Sequence, residues 1–333
     1  MAGSGTAHLR GDDPGIILRV EHLVKEFPAG KGRVVHAVSD VSFDVSEGET
    51  LGLVGESGCG KSTTAKAVVQ LPPPTSGKVL YGGKDLATLK GEDLRRMRPD
   101  IQMIFQDPIS SLNPRRKVFD IVSEGIAVWG TSGGAGFTED RVVEIIEAVG
   151  LDLEMAREKR PHEYSGGQCQ RISVARALVL DPKIVICDEP VSALDVSVQA
   201  QILNLLEDMK ERYGITLLFI SHDLSVVKNI SDRVAVMYLG KLCEIGDGDL
   251  LYDSPAHPYT RLLLAAVPDP TNKHADGAEV LGGELPSPMD PPSGCRFRTR
   301  CPRAQEICGI EEPQMAQVSN GTDQWVACHF PIV

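Results

Sequence analysis

The stretch ETLGLVGESGCGKSTT, residues 49–64, constrains the fold more than any other segment of the chain. A short apolar strand runs into GESGCGKS, Gly55 to Ser62, which fits G-x-x-x-x-G-K-S, and a helix is expected to begin near Lys61. That strand–loop–helix context separates a P-loop from an ordinary glycine-rich turn. Glycines let backbone N–H groups converge on phosphate oxygens, and the helix N-terminus adds partial positive charge. Gly55, Ser57, Gly58, Cys59, Gly60, Lys61, Ser62 and Thr63 are therefore the candidate nucleotide contacts. Lys61 is placed to reach the β- and γ-phosphates and Ser62 to ligate Mg²⁺. Cys59 reads either as a small tolerated side chain or as a thiol activated by the helix N-terminus.

A second cluster supports the first. KIVICDEP, 183–190, is an apolar strand ending in Asp188 and Glu189. In P-loop proteins an aspartate here orients the metal, and a glutamate beside it polarises an attacking water.

The rest of the chain agrees with an α/β architecture. Residues 16–27 and 36–45 alternate apolar and polar residues as strands do. A helix is expected at 139–149, and another at 196–214, where Val198, Ile202, Leu205, Leu206, Met209 and Tyr213 fall at helical spacing ahead of Gly214. TLLFIS, 216–221, reads as a buried strand, LSVVKNI as a short helix, and 233–246 as a hairpin. Strands alternating with helices predict a mostly parallel sheet covered by helices. WGTSGGAG, 129–136, reads as a loose loop, and ELPSPMDPPSG, 284–294, as a proline-rich arm.

Composition excludes some function classes. The chain has 333 residues and a formal net charge of −12, which disfavours nucleic-acid binding. No stretch approaches the ~18 consecutive apolar residues of a membrane span. Residues 1–14 lack the pattern of a secretory signal and are expected to be a disordered leader. The expected setting is the cytosol, where thiols stay reduced.

YSGGQCQR, 164–171, narrows the reading. With the P-loop and ICDEP it resembles the ATP-binding subunit of ATP-binding cassette (ABC) transporters, over about residues 16–330. By this resemblance Phe27 stacks on adenine, and Gln106, in IFQDP, contacts Mg²⁺ and senses the γ-phosphate. Ser165, Gly166, Gly167 and Gln168 correspond to the signature motif, Asp195 to the D-loop, and His222 to the switch histidine. Two positions depart from the family: Cys169 stands where a basic residue is usual, and Tyr164 where leucine is common. The implied fold is a P-loop NTPase cassette with a mixed core sheet, an antiparallel β subdomain and a helical signature subdomain. The cassette would span 15–267, with its helical part at about 107–182. IFQDPISSLNPR, SPAHPYTRLLLAAVP and GELPSPMDPPSGC resemble the oligopeptide/dipeptide importer branch, including its nickel-peptide relatives. There a small C-terminal extension, here 268–333, carries four cysteines.

Those four are Cys295, Cys301, Cys308 and Cys328, spaced C-x5-C-x6-C-x19-C. Three readings stay open: a [4Fe–4S] cluster, structural zinc, or packing residues with no metal. Zinc sites favour tighter cysteine pairs, so the spacing and the resemblance favour the cluster. None of the four belongs to a nucleotide motif, and their expected role is structural.

The resemblance also implies a mechanism. Two ATPases meet head to tail, each ATP lying between one P-loop and the partner's signature. Closure and opening drive two transmembrane permease subunits, fed by an external solute-binding protein, at the cytoplasmic face of the cell membrane. Glu189 activates water, His222 holds the γ-phosphate that Gln106 senses, and Lys61 with Mg²⁺ neutralises developing charge. The second ATPase is expected to be a paralogue. The alternatives are a soluble ABC ATPase of DNA repair or translation, and an iron–sulfur electron-transfer protein with a vestigial P-loop. The first usually carries two cassettes or a long coiled-coil insertion, and the second would not keep every ATPase motif intact.

Overall fold

The computed structural model describes residues 5–11, 13–129, 138–267, 282–319 and 321–332. Most of the loose loop at 129–136, and the start of the arm at 268–281, lie outside these residues. The chain divides into two compact units, Met1–Leu89 with Phe219–Val333, and Lys90–Leu218. It passes from the second to the first within the strand Thr216–Ser221.

The first unit holds two sheets. One is antiparallel, in the order Val34–Ser46, Ile16–Pro28, Ser76–Tyr81, Lys84–Asp85. Its alternating residues bury Leu18, Val20, Val38, Val41 and Phe43. In the other, Thr50–Val54 pairs parallel with Arg233–Tyr238. The hairpin expected at 233–246 is formed by Arg233–Tyr238 and Lys241–Asp247, with both turn residues, Leu239 and Gly240, at positive φ.

The C-terminal extension continues this sheet. Gln324–Val326 pairs antiparallel with Lys241–Asp247, and Ala316–Gln317 pairs with Gln324–Val326. Phe297 is fully buried against Tyr238 and Tyr259, with ring centroids 5.1 and 5.2 Å away. The tail therefore shares the core of the first unit rather than forming one of its own.

The N-terminal stretch corrects an expectation. Residues 1–14 read as a disordered leader, yet over 5–11 the chain is held in place. His8 is buried, its Nε2 2.7 Å from the Ser42 carbonyl oxygen. Arg10 donates to Asp44 at 2.9 Å and to Glu49 at 2.7 Å. The physical reason is charge. Asp44 and Glu49 are both buried beside Arg233, and one arginine cannot balance two carboxylates. Arg10 supplies the second cation from 34 residues away, which no local pattern shows.

The second unit pairs Ile101–Ile104 parallel with Ile184–Asp188 and surrounds them with helices. Val118–Trp129 buries Val118, Ile121 and Val122, and Glu139–Ala148 buries Val142, Ile145 and Ile146. Both patterns place one apolar stripe inward. The long helix Val196–Tyr213 ends at Gly214, whose φ of 63° is the left-handed cap that glycine adopts without strain.

Candidate functional site

The loop after Thr50–Val54 has the backbone that its glycines predict. Gly55, Gly58 and Gly60 have φ of 151°, 80° and 109°. A Cβ at Gly55 would lie 2.1 Å from the Met237 carbonyl oxygen, and one at Gly60 2.3 Å from that of Ala37. Two glycines are thus required by the backbone behind the loop. Gly58, with Ser57, is exposed on its open side. The helix Lys61–Val68 starts at the loop's end, with Ser62 and Thr63 half-buried in its first turn. The Lys61 ammonium is buried and donates to the carbonyls of Gly55 at 2.8 Å and Glu56 at 3.0 Å. Phosphate oxygens are the natural replacement for those carbonyls, being stronger acceptors.

Cys59 points away from the open side. Its thiol is buried, and its sulfur lies 2.9 Å from where a Gly55 Cβ would be. Burial pushes the thiol pKa up, against the lowering effect of Lys61. The activated-thiol reading is therefore corrected: Cys59 is a packed, protonated side chain, and desolvation outweighs the helix N-terminus.

Phe27 stands near the end of Ile16–Pro28, half-exposed, with the Lys25 ammonium 5.1 Å from its ring centroid. His222 is exposed, just after Thr216–Ser221. Phe27, the P-loop and His222 all belong to the first unit.

The remaining candidates belong to the second unit. Asp188 ends its strand almost completely enclosed, and Glu189 follows at φ 48°, uncommon for a residue with a side chain. The Gln106 amide donates to the Glu189 carboxylate at 2.9 Å, across 83 residues of sequence. Two residues read from separate motifs are thus in direct contact, and the contact fixes one carboxylate oxygen of Glu189.

Ser165 caps the helix Gly166–Leu178 and forms a reciprocal capping box with Gln168, at 3.3 and 3.0 Å. Ser165 and Gly166 are exposed at that N-terminus. Gly167 has a packing reason as well: a Cβ there would sit 2.5 Å from Val198 Cγ1. Asp195 caps Val196–Tyr213, and hydrogen bonds from Ser197 and the Val198 N–H hold its carboxyl below the usual carboxylate range. Cys169 is buried, its sulfur 3.4 Å from the Pro161 carbonyl oxygen, so the departure from a basic residue is absorbed as packing.

The four tail cysteines line one pocket with His257, Phe297, Arg298, Arg303 and Phe330. Burial pushes Cys295 and Cys328 up to about 11, and the neighbouring cysteines add to it. Among the described residues no group of three or more His, Cys, Asp or Glu side chains is placed to hold a metal ion.

The ABC transporter family signature matches residues 38–192, and that of the oligopeptide/dipeptide transporter C-terminal region matches 243–308. The oligopeptide transport ATP-binding protein OppF of Salmonella typhimurium is 49% identical over 308 residues, 90% of this chain and 92% of the relative. OppF of Escherichia coli is 52% identical over 283 residues, 84% of each chain.

This chain belongs to the ABC transporter family.

Within that family it falls in the oligopeptide/dipeptide branch, as an ATP-hydrolysing subunit. The fold agrees. A dimeric ATP-binding cassette solved in a post-hydrolysis state with ADP and phosphate superposes with a TM-score of 0.62 and 27% identity, over 69% of this chain and 98% of that one. The α/β P-loop cassette expected from the sequence is what the chain adopts. Two residues with no nucleotide motif of their own also touch the P-loop at Glu56: Tyr259 and Arg300, 203 and 244 residues along the chain, a distance over which no local pattern carries a signal.

Proposed function

We propose that this ABC ATPase powers import of oligopeptides or dipeptides across a cell membrane, bound peripherally to two permease subunits and paired head to tail with a second, paralogous ATPase. The observation that carries the reading is similarity to oligopeptide transport subunits over nearly the whole chain, extension included. Among the described residues no helix is long and apolar enough to cross a membrane, so attachment would run through other subunits. An external binding protein and the permeases would choose the solute.

In this reading the P-loop of one protomer and the Ser165–Gln168 end of its partner hold the ATP phosphates between them, while Phe27 stacks on adenine. The residues fit the group: bare backbone at exposed Gly58, a buried ammonium at Lys61, and a hydroxyl at Ser62. Mg²⁺ would take the Ser62 hydroxyl as a ligand and would neutralise charge developing on the phosphates. Glu189 takes a proton from the attacking water. Gln106, bonded to Glu189 Oε2, holds that carboxylate in place before the water arrives. Asp195 orders the turn facing the partner, and His222 contacts the γ-phosphate.

The tail carries a second, separable reading. Cys295, Cys301, Cys308 and Cys328 share one pocket, and four thiolates are the ligand set of a [4Fe–4S] cluster. Among the described residues these four are not placed to hold a metal ion, so binding a cluster would require them to draw together as well as to lose their protons.

Solubilised membranes bearing a tagged copy of the chain test the main reading. Two strongly apolar permease subunits and a second ATPase are expected to co-purify, with radiolabelled peptide uptake lost when the gene is removed. Recovery with ribosomes or DNA, and unchanged peptide uptake, would refute it.

A further inference from the structure

We infer that Arg300, in the cysteine-bearing tail, is a positioning residue of the P-loop. This rests on the P-loop being the ATP site. The Arg300 guanidinium forks onto the Glu56 carboxylate, Nη1 to Oε2 at 2.7 Å and Nη2 to Oε1 at 3.0 Å. Its side chain is only 5% exposed, and its Nε donates to the Gly282 carbonyl at 2.9 Å. Glu56 is the second residue of the phosphate loop, and it is held at two further points. Its N–H donates to the Tyr259 hydroxyl at 2.9 Å, and its carbonyl accepts from Lys61.

One of those anchors, Arg300, lies in the tail, and a second, Tyr259, is packed by it. Tyr259 packs against Phe297, three residues before Arg300. Phe297 and Arg300 lie between Cys295 and Cys301, on a turn in which the Arg300 N–H donates to the Phe297 carbonyl at 2.9 Å. Cys295 is tied in turn to Cys308, N–H to carbonyl, at 2.8 Å. The segment that carries the thiols therefore also carries one side chain that holds the loop's first turn, Arg300, and one that packs on a second, Phe297 against Tyr259. A planar fork suits that task, because two parallel bonds set the orientation of the carboxylate as well as its distance. The carboxylate is not aimed at phosphate; it is turned to the tail, which keeps a negative charge out of an anion site.

The prediction concerns nucleotide affinity. In the purified full-length chain, Arg300→Ala is expected to weaken equilibrium binding of MgATP about tenfold, within the range by which network residues alter coupling. Arg300→Lys, which keeps the charge and loses the fork, should fall between the two. In the assembled transporter the ATP KM should rise with kcat changed less than about threefold, because the lost interaction does not touch the reacting atoms. Adding Arg300→Ala to Glu56→Gln should cost little more, since the two act as a pair. Gln317→Ala is the control: it removes one exposed tail bond, to the Thr322 carbonyl, and touches neither the loop nor the cysteine pocket, so it should leave ATP binding unchanged. Should Arg300→Ala fail to fold, Arg300→Lys and Glu56→Gln carry the same comparison. ATP binding by Arg300→Ala within twofold of wild type, or by Glu56→Gln where Arg300→Ala does not fold, overturns the proposal, and so does equal weakening by Gln317→Ala. Absence of binding in wild type would overturn the ATP-site reading itself, and with it this one.

Discussion

Glu189 illustrates how much a single position is asked to do. Its left-handed backbone is a conformation a side-chain-bearing residue adopts at a cost of about 1 kcal/mol or more, and strain of this kind clusters where geometry serves chemistry. The Gln106 amide holds one carboxylate oxygen. Glu189→Gln keeps size and removes basicity, so the variant should bind ATP normally and hydrolyse it at least ~100-fold more slowly. Single-turnover hydrolysis beside equilibrium ATP binding measures both quantities. A rate within tenfold of wild type would assign the base elsewhere. Cys59 shows the opposite case: a residue inside the loop whose chemistry is muted by burial.

At the scale of elements, the N-terminus of Gly166–Leu178 and that of Val196–Tyr213 are fitted to each other. Gly167 lets Val198 approach, and Ser165 and Asp195 cap the two helices. Gly167→Ala places a methyl 2.5 Å from Val198 Cγ1. Because that neighbour is a β-branched side chain held on a helix, the substitution should destabilise the second unit by about 1–3 kcal/mol. Val198→Ala in the same chain should recover most of that loss by making room. Urea unfolding of the two variants checks it; a stable Gly167→Ala protein would mean the glycine is needed only for backbone exposure to phosphate.

For the whole molecule, the tail is part of the architecture of the unit that carries the P-loop. Its strand extends the sheet, its Phe297 fills the core and its Arg300 reaches the P-loop. If the four cysteines hold a cluster, anaerobically purified protein should be brown, with broad absorbance near ~400 nm and about four iron and four sulfide per chain. Cys301→Ser should bleach it and lower the melting temperature, because binding is linked to folding. Through Arg300 it should also weaken ATP binding, an effect the nucleotide motifs alone do not foresee. One zinc and no sulfide would establish the zinc reading, and colourless, metal-free protein with an ordered tail would leave the cysteines as packing residues.

What the sequence determined by itself was local. The P-loop, the DE strand end, the capped signature helix and the glycine-capped helix before 214 each carry their signal within a dozen or two residues, because backbone freedom, capping and periodicity act over one or two turns. The short strands Ser76–Tyr81 and Ile101–Ile104 were not legible, being too short for a clear period, and the apolar stripe of the helix Val118–Trp129 was hidden in the mixed, more polar stretch 107–160. The tertiary structure alone decided the pairings: Gln106 with Glu189, Arg10 with Asp44, Gly167 against Val198, Arg300 with Glu56. Each brings together groups 31 to 244 residues apart, and their attraction depends on burial and orientation that exist only once the chain has closed on itself.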